Sequence, residues 1–271
     1  MSDIIVSSRN VQLGLDAIEK LKNETVEFKQ GGKFVHCQLD ITDAESRKNA
    51  INFVKENYPE GLDILVNNAG FAYKAKDADT VPFSKEAKDT LAINYFATKD
   101  FTLEAIAASI VKKFDAKSGS GRILTCASVV SDFYFPKLSE NEQKTFKNSK
   151  NLSFQEISDI AEEFVSLAKN CDSKDAIMPK YFKGAYGMSK ILIRSFVQAA
   201  SVQFPDYYHA SYCPGWCRTD MTVPEAARSA EEGARIAYYL GSSLEDNVLK
   251  NSGGFYKHDN ELHDWGAVAK F

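Results

Sequence analysis

The sequence predicts an α/β fold in which a parallel sheet is covered by helices on both faces. Short apolar strands alternate with amphipathic helical stretches, and the strands have nearly continuous apolar cores. Nearly continuous apolar runs are typical of strands in a parallel sheet, because helices cover both faces of such a sheet and bury its side chains. Of the 271 residues, 44% are hydrophobic and 26% are charged, and we find no repeat, low-complexity tract or linker. These features are typical of one globular domain spanning residues 1–271.

The predicted elements follow one another in a regular order. The strand "DIIVSS" precedes the helical stretch "NVQLGLDAIEKLKN", and "KFVHCQLDI" precedes the helix "DAESRKNAINFVKENY", for which Asp43 is a suitable N-cap. "LDILVNNAG" leads through a polar loop to a long helical stretch from Ser84 to about Lys113. "GRILTCAS" is followed by an irregular segment, the helix "AYGMSKILIRSFVQAASVQF" and the strand "YHASYCPG". The segment of about 131–183 is too long and too periodic for a loop, so we predict a helical insertion there.

Composition excludes several classes of function. The formal net charge of −4 gives no electrostatic reason to expect a nucleic-acid partner. No apolar run approaches the ~20 residues of a membrane span, and "MSDIIVSSRN" lacks the features of a signal peptide. The scattered cysteines indicate reduced, mostly buried thiols (Cys37, Cys126, Cys171, Cys213 and Cys217). A metal site is the sharper alternative, but no CxxC or HExxH spacing occurs. We therefore expect a cytoplasmic protein without a metal, membrane or nucleic-acid partner.

Three segments that follow predicted strands indicate where a site would lie. "NNAG", "CAS" and "CPGWCRTD" each begin where an apolar strand ends. In open parallel sheets, ligands bind beyond the carboxyl ends of the strands, and these ends meet at one edge of the sheet. The sequence therefore predicts the rim of an active site at this edge.

The stretch "AYGMSK" sets Tyr186 and Lys190 four positions apart, which places them on one helix face. A lysine ammonium beside a phenol favours the phenolate and lowers the phenol pKa from about 10, so the pair suits general acid–base chemistry. Two ordinary surface residues are the simpler interpretation. Tyr95 and Lys99 in "NYFATK" have the same spacing, so the pair alone is weak support.

The ordered set "LDILVNNAG", "NYFAT", "GRILTCAS", "AYGMSK" and "CPGWCRTDM" resembles the short-chain dehydrogenase/reductase superfamily, and most closely its monomeric carbonyl reductases. The resemblance runs from the first strand to about Trp265 and implies a Rossmann-like, doubly wound parallel sheet. It implies NADPH-dependent reduction of ketones, aldehydes or quinones, a small-molecule carbonyl substrate and a monomer.

The resemblance also implies catalytic roles. Tyr186 would protonate the carbonyl oxygen, and Lys190 would lower the tyrosine pKa and hold the nicotinamide ribose. Ser128 would hydrogen-bond the substrate carbonyl, although a hydroxyl that caps its own turn is an equal alternative. Asn94 would support a water relay to the lysine, although a buried amide that satisfies nearby backbone is a serious alternative. Tyr95 adjoins the Asn94 position, so Tyr186 is the preferred acid.

Cofactor contacts follow by the same resemblance. Asp40 would hydrogen-bond the adenine amino group, and Arg9, at a strand end that carries no acid, would accommodate a 2′-phosphate. A solvated surface arginine is the alternative for Arg9. The remaining contacts lie in two loops, at the adenosine and at the nicotinamide end (Asn67, Ala69 and Gly70; Pro214, Gly215, Trp216 and Thr219).

The family pattern has one element that this sequence lacks. A strand, a glycine-rich turn and a helix, roughly 25–30 residues at average element lengths, should precede the strand "IIVSSR", and no glycine cluster occurs there. We therefore expect an N-terminally truncated member whose first strand and first helix are missing. A central position between "DIIVSS" and "LDILVNN" would then be vacant. A non-catalytic binding or regulatory protein with weak or no cofactor binding is the alternative to a reductase.

Overall fold

The computed structural model describes residues 3–24, 32–74, 80–173, 176–178, 180–222 and 224–266. Its strands are β1 (Ile4–Ser8), β2 (Phe34–Gln38), β3 (Ile64–Asn67), β4 (Arg122–Cys126), β5 (Tyr208–Tyr212), β6 (Gly254–Tyr256) and β7 (Leu262–His263). Its α-helices are α1 (Val11–Glu24), α2 (Ala44–Asn57), α3 (Phe83–Leu91), α4 (Thr98–Ala107), α5 (Val130–Tyr134), α6 (Glu140–Lys147), α7 (Phe154–Ala168), α8 (Ala185–Gln203), α9 (Ala230–Ser242) and α10 (Asp246–Leu249). The predicted α/β class is confirmed.

The strands form two sheets. β1 and β2 pair in parallel, and the other five strands form a sheet in the order β3-β4-β5-β6-β7, in which β7 alone is antiparallel to its neighbour. Asn67 at the end of β3 is in register with Thr125 of β4, and Cys126 at the end of β4 is in register with Tyr212 of β5. The carboxyl ends of these three strands therefore lie at one edge of the sheet.

The two sheets are separated between β1 and β3. Within the described ranges no ladder joins these strands, and the sequence predicts a vacant position at this place. Alternate side chains of β3 remain partly in solvent, since Ile64 is 37% and Val66 44% exposed. On β1, Ile4 is 42% exposed. Apolar side chains are thus partly exposed on β1 and on β3, the two strands on either side of the gap between the sheets.

A layer of helices connects the two sheets. One buried cluster contains Leu39 after β2, Val54 of α2, Leu65 of β3 and Phe101 of α4. In the same layer, the guanidinium of Arg47 on α2 donates two hydrogen bonds of 2.8 Å to the carboxylate of Glu104. Such bidentate pairs are among the stronger polar contacts. The two sheets therefore share one core on this face although their strands do not pair.

Local sequence signals account for most helix ends. Asp43 caps α2 as predicted, because its carboxylate accepts hydrogen bonds from the backbone N–H groups of Glu45 and Ser46. The predicted helix from Ser84 to about Lys113 is wrong at its end. The chain is helical only to Ala107, with a π-helical turn over Ala92–Ala97. Ser109 has a φ of 55°, a left-handed conformation that ends the helix.

The segment 131–183 is largely helical and packs on the main core. It holds most of α5, then α6 and α7, with 3₁₀ turns at Phe135–Lys137 and Ser149–Asn151. Ser153 and Glu156 form a capping box that begins α7. The apolar face of α7 is fully buried in the cluster that includes α3 and α8. No helix of the described chain is both long and apolar enough to cross a membrane.

Candidate active site

Helix α8 carries the candidate acid and its lysine beside the sheet edge. Tyr186 is partly exposed in the first turn, whereas Lys190 is 4% exposed. The Nζ atom of Lys190 lies 5.4 Å from the centre of the Tyr186 ring and donates a 3.0 Å hydrogen bond to the backbone oxygen of Cys126, the last residue of β4. This hydrogen bond fixes the ammonium at the carboxyl edge of the sheet. Tyr186 and Lys190 therefore share one helix face, as the spacing predicts.

Asn94 joins this pair from the π-helical turn. Its side-chain amide donates to the backbone oxygen of Phe71 (2.8 Å) and to the hydroxyl of Ser189 (3.0 Å), and its Oδ1 accepts from the Phe71 N–H (2.7 Å). A Cβ atom at Gly70 would lie 3.6 Å from this Oδ1 and 3.8 Å from Nζ of Lys190. The loop after β3, the π-helical turn and α8 therefore meet at one point. Irregular helical turns of this kind are frequent at functional sites.

Ser128 lies in the turn that follows β4 and is 8% exposed. Its hydroxyl oxygen accepts a 3.2 Å hydrogen bond from the N–H of Val130, so the side chain does help to hold its own turn. The Cys213 thiol after β5 adjoins it, and burial raises the pKa of that thiol, an effect that hydrogen bonds to Ser128 and nearby backbone oppose. A hydroxyl retains further capacity to donate a hydrogen bond when it accepts one. The structural and the functional interpretation of Ser128 are thus compatible.

The competing pair, Tyr95 and Lys99, lies in a different environment. Tyr95 is fully buried, its hydroxyl is 3.1 Å from that of Ser158, and Lys99 donates to the same Ser158 oxygen at 3.2 Å. Burial raises the pKa of Tyr95 well above its usual value. A phenol in this position cannot exchange protons with a substrate near neutral pH, because neither solvent nor substrate reaches it. Tyr95 and Lys99 instead join the helical segment that carries them to α7 through Ser158.

Two predicted adenosine contacts lie at the ends of β1 and β2. Arg9 is exposed, directly after β1. Asp40 accepts hydrogen bonds from the hydroxyl and the N–H of Thr42 at 2.6 and 2.9 Å, and the hydroxyl bond is the main cause that lowers the pKa of Asp40, with a smaller contribution from the charge of Arg9. The carboxylate is therefore ionised at neutral pH and can accept a hydrogen bond from an amino group.

The last residue of β3 and the loop after it hold the next three predicted contacts. The amide of Asn67 is turned into the protein, where it donates to the hydroxyls of Thr102 (2.9 Å) and Thr125 (3.3 Å). The Asn67 side chain therefore holds the end of β3 in place, and only its backbone is available to a ligand at the carboxyl edge of the sheet. Ala69 is exposed and Gly70 partly exposed at the same edge. The small side chain and the glycine leave room for close approach of a ligand.

The loop after β5 holds the predicted nicotinamide contacts. Gly215 follows Pro214 with a φ of +84°, a left-handed conformation that favours glycine, and a Cβ atom there would lie 2.7 Å from the Arg228 side chain. Trp216 is half exposed, and the N–H of Thr219 donates to the hydroxyl of Thr222 at 3.0 Å. A cleft of about 440 Å³ opens beside this loop, lined by Lys74, Arg218, Thr219, Asp220, Thr222 and Pro224. None of the four candidate catalytic side chains lines it.

Sequence reasoning missed the partners that hold the site together. The backbone oxygen of Cys126 and the hydroxyl of Ser189 fix Lys190 and Asn94, and neither residue was a candidate. A signal for Ser189 existed, since it directly precedes Lys190 in the "AYGMSK" stretch. The arrangement places a partly exposed phenol, a buried ammonium and a strand-end hydroxyl at one edge. These groups can donate protons and hydrogen bonds to an oxygen on which negative charge develops.

Comparisons with known proteins agree with this architecture. The family model of the short chain dehydrogenases matches residues 2–140. Carbonyl reductase (NADPH) 1 of Bos taurus is 32% identical over 244 residues, which are 88% of this chain and 80% of that protein. The protein of the same name from Homo sapiens is 30% identical over 271 residues, 97% of this chain and 89% of that one. The structure of salutaridine reductase from Papaver somniferum has a TM-score of 0.73 at 24% identity and covers 93% of this chain and 90% of that one.

Proposed function

Because the chain belongs to the short-chain dehydrogenase family, we propose that it is an NADPH-dependent oxidoreductase that reduces carbonyl compounds to alcohols. The two relatives described above are carbonyl reductases whose names specify NADPH, and they match most of this chain. They favour a reductase over a non-catalytic binding protein. The observation that carries the proposal is the placement of Tyr186 and Lys190 on one face of α8, at the edge where β3, β4 and β5 end.

In this proposal Tyr186 is the proton donor. Its partial exposure leaves the phenol accessible to a substrate, whereas Lys190 is buried beside it and held by the Cys126 oxygen. NADPH, when bound, supplies the hydride, and the protein orients the reactants and supplies the proton. Tyr186 would then pass its proton to the carbonyl oxygen as negative charge builds there.

Ser128 and Asn94 would act on either side of this pair. Ser128 would donate a hydrogen bond to the same carbonyl oxygen, and a preorganised donor of this kind typically contributes about 10²–10³-fold to the rate. Asn94 holds Phe71 and Ser189 with its amide, so its first effect is to fix the loop after β3 against α8. We propose that the same amide supports a water that resupplies protons through Lys190.

The residues at the sheet edges fit NADPH chemically. The exposed guanidinium of Arg9 suits a 2′-phosphate, whereas an enzyme for NADH usually places an acid there. The ionised Asp40 suits the adenine amino group, and the loops with Ala69 and Gly70 offer space at the adenosine end. We assign the loop of Pro214, Gly215, Trp216 and Thr219 to the nicotinamide carboxamide, because it adjoins the end of β5.

We also propose the finer features that the family suggests. The substrates are small ketones, aldehydes or quinones, and the chain is a single-domain, cytoplasmic monomer. The support for a monomer is the helical segment 131–183, whose longest helix, α7, covers faces of α3 and α8 that could otherwise serve association.

The test is a direct assay with the purified chain. NADPH consumption is measured with one aldehyde, one ketone and one quinone, alongside NADH and the Ser128→Ala variant, and NADPH binding is measured separately by calorimetry. We expect NADPH-dependent reduction of at least one substrate and a loss of about 10²–10³-fold in kcat/KM for Ser128→Ala. A chain that binds NADPH but reduces none of the three, or prefers NADH, would contradict the proposal.

A further inference from the structure

A buried charge lies behind the candidate catalytic residues on α8. Arg194 follows Lys190 by four positions, so it continues the helix face of Tyr186 and Lys190 toward the interior. It is 1% exposed, and its partner Asp132 in α5 is 4% exposed. Asp132 lies four positions after Ser128. The pair therefore connects the helix that carries the acid and the turn that carries the hydroxyl.

The hydrogen bonds of Arg194 lead directly to the Ser128 turn. Its Nη1 donates to Oδ1 of Asp132 at 2.5 Å and to Oγ of Ser131 at 2.8 Å. An arginine can only donate, so the Ser131 hydroxyl accepts this bond and its own proton is free for another acceptor. That acceptor is the backbone oxygen of Ser128, at 2.6 Å. A continuous chain of hydrogen bonds thus runs from α8 through Ser131 to the backbone of Ser128.

Two aromatic rings hold the guanidinium. The Cζ atom of Arg194 lies 3.9 Å from the ring centre of Phe255 in β6 and 4.2 Å from that of Trp265. Rings at this distance attract the cation and restrict the orientation of its plane. The guanidinium is therefore fixed by the sheet and the C-terminal segment as well as by Asp132 and Ser131.

Packing alone does not explain a charge at this position. Nε and Nη2 of Arg194, and Oδ2 of Asp132, have no hydrogen-bond partner among the described residues. Well-packed apolar residues usually stabilise a core at least as well as such a pair. An apolar side chain, however, could not direct the Ser131 hydroxyl toward Ser128.

We propose that Arg194 is a positioning residue, which holds Ser128 in place for carbonyl reduction through the hydroxyl of Ser131. The proposal rests on the function proposed above. Lys190 fixes the end of β4 at Cys126, and Arg194 fixes the turn after Ser128, so α8 restrains the segment on both sides of the catalytic hydroxyl. A displacement of about 1 Å in a reacting group can lower a rate by about 10²-fold.

The chain offers a matched control for Ser131. Ser149 is also fully buried, and its hydroxyl also donates to the backbone oxygen three residues before it, that of Phe146, at 2.5 Å. Ser149 lies in the 3₁₀ turn between α6 and α7, and its hydroxyl donates to the backbone of Phe146 and not to that of Ser128. Ser131→Ala and Ser149→Ala therefore each remove a hydroxyl hydrogen bond to the backbone oxygen three residues earlier, but only the first interrupts the link to Arg194.

The experiment compares both variants with the wild-type chain. For Ser131→Ala we expect kcat to fall at least about tenfold with KM and the NADPH dissociation constant within about twofold, and a loss of thermal stability similar to that of Ser149→Ala. Arg194→Met alone leaves Asp132 buried and unpaired, so the double variant Arg194→Met/Asp132→Leu is the second test. It should fold and lose kcat to the same degree. Equal kcat values in the Ser131→Ala and Ser149→Ala variants, or full kcat in the double variant, would overturn the proposal.

One measurement does not depend on activity. Amide hydrogen exchange over residues 126–134 should be faster in Ser131→Ala than in wild type and unchanged there in Ser149→Ala. Unchanged exchange in both variants would refute the ordering of the turn. A wild-type chain that reduces no carbonyl compound would instead refute the proposed function and the catalytic part of this inference, so the two failures are distinguishable.

Discussion

Tyr186→Phe and Tyr95→Phe should separate catalysis from stability, because the same change is made in two tyrosine–lysine pairs of equal spacing. Tyr186 is partly exposed, and its hydroxyl makes no hydrogen bond to another described residue. Its removal should change the free energy of unfolding by no more than about 0.5 kcal/mol. If Tyr186 donates the proton, kcat falls by about 10²–10⁴-fold, which corresponds to about 3–5 kcal/mol of transition-state stabilisation.

Tyr95→Phe should have the opposite effect. Tyr95 is fully buried and loses one hydrogen bond of 3.1 Å, while Ser158 keeps its bond from Lys99. The cost is about 1 kcal/mol of stability, or a melting temperature lower by about 2–4 °C, with kcat unchanged.

The assay measures NADPH-dependent carbonyl reduction and thermal unfolding for both variants and the wild type, and NADPH affinity by calorimetry. Affinity should change little for Tyr95→Phe and modestly for Tyr186→Phe. Retention of more than about a tenth of the wild-type kcat in Tyr186→Phe, given the 10²–10⁴-fold loss expected for a proton donor, would refute its role. A catalytic loss in Tyr95→Phe, with the fold intact, would assign the catalytic role to the pair of Tyr95 and Lys99.

Two further predictions rest on single contacts, and a third rests on a buried histidine. Arg9→Ala should lower kcat/KM with NADPH by about 10–100-fold, because it removes a hydrogen bond between charged groups. It should leave kcat/KM with NADH unchanged, and an equal loss for both cofactors would contradict the phosphate role. Asp43→Ala removes the cap of α2, so the melting temperature should fall by about 2–4 °C at unchanged kcat, as expected for about 1 kcal/mol. Burial lowers the pKa of His209 from 6.5 to about 4, so the unfolded chain takes up a proton at a higher pH than the folded one. His209 should therefore contribute a loss of about 3 kcal/mol in stability as pH falls from 6.5 to 4. His209→Gln should reduce the pH dependence of stability in urea unfolding curves by that amount.

The family and the α/β class could be predicted from the sequence because they depend on local patterns. The order of the strand-end motifs, the N-cap Asp43 and the four-residue spacing of Tyr186 and Lys190 are all visible within short windows. The family prediction is confirmed by a model match over residues 2–140 and by relatives about 30% identical over most of the chain.

Other features depend on contacts between distant parts of the chain. The end of the helix at Ala107 was missed because the left-handed Ser109 has no local signal such as glycine. The hydrogen bond between Arg194 and Ser131 joins residues 63 apart in sequence. Its one available sign was that Arg194 extends the spacing of Tyr186 and Lys190 by four more residues. That spacing gives the helix face, but only packing against α5 and β6 shows what the arginine contacts.

The proposed cofactor contacts are divided between the two sheets, and this has a mechanical consequence. Arg9 and Asp40 follow β1 and β2, whereas Ala69 and Gly70 follow β3 of the five-stranded sheet. The candidate catalytic groups lie on α8, on the π-helical turn and after β4. No ladder joins these sheets within the described residues, so their relative position depends on the helices that pack against both. In this layer Arg47 of α2 donates two hydrogen bonds to Glu104 of α4, beside the core that the two sheets share. The contacts at Arg9 and Asp40 would thus be placed through side-chain packing, and those at Ala69, Gly70 and the nicotinamide loop through strand register. Contacts between side chains are displaced more easily than the backbone hydrogen bonds of a β-ladder. Loss of the contact between Arg47 of α2 and Glu104 of α4 should therefore lower the affinity for the cofactor first. The geometry of Tyr186, Lys190 and Ser128 should remain unchanged.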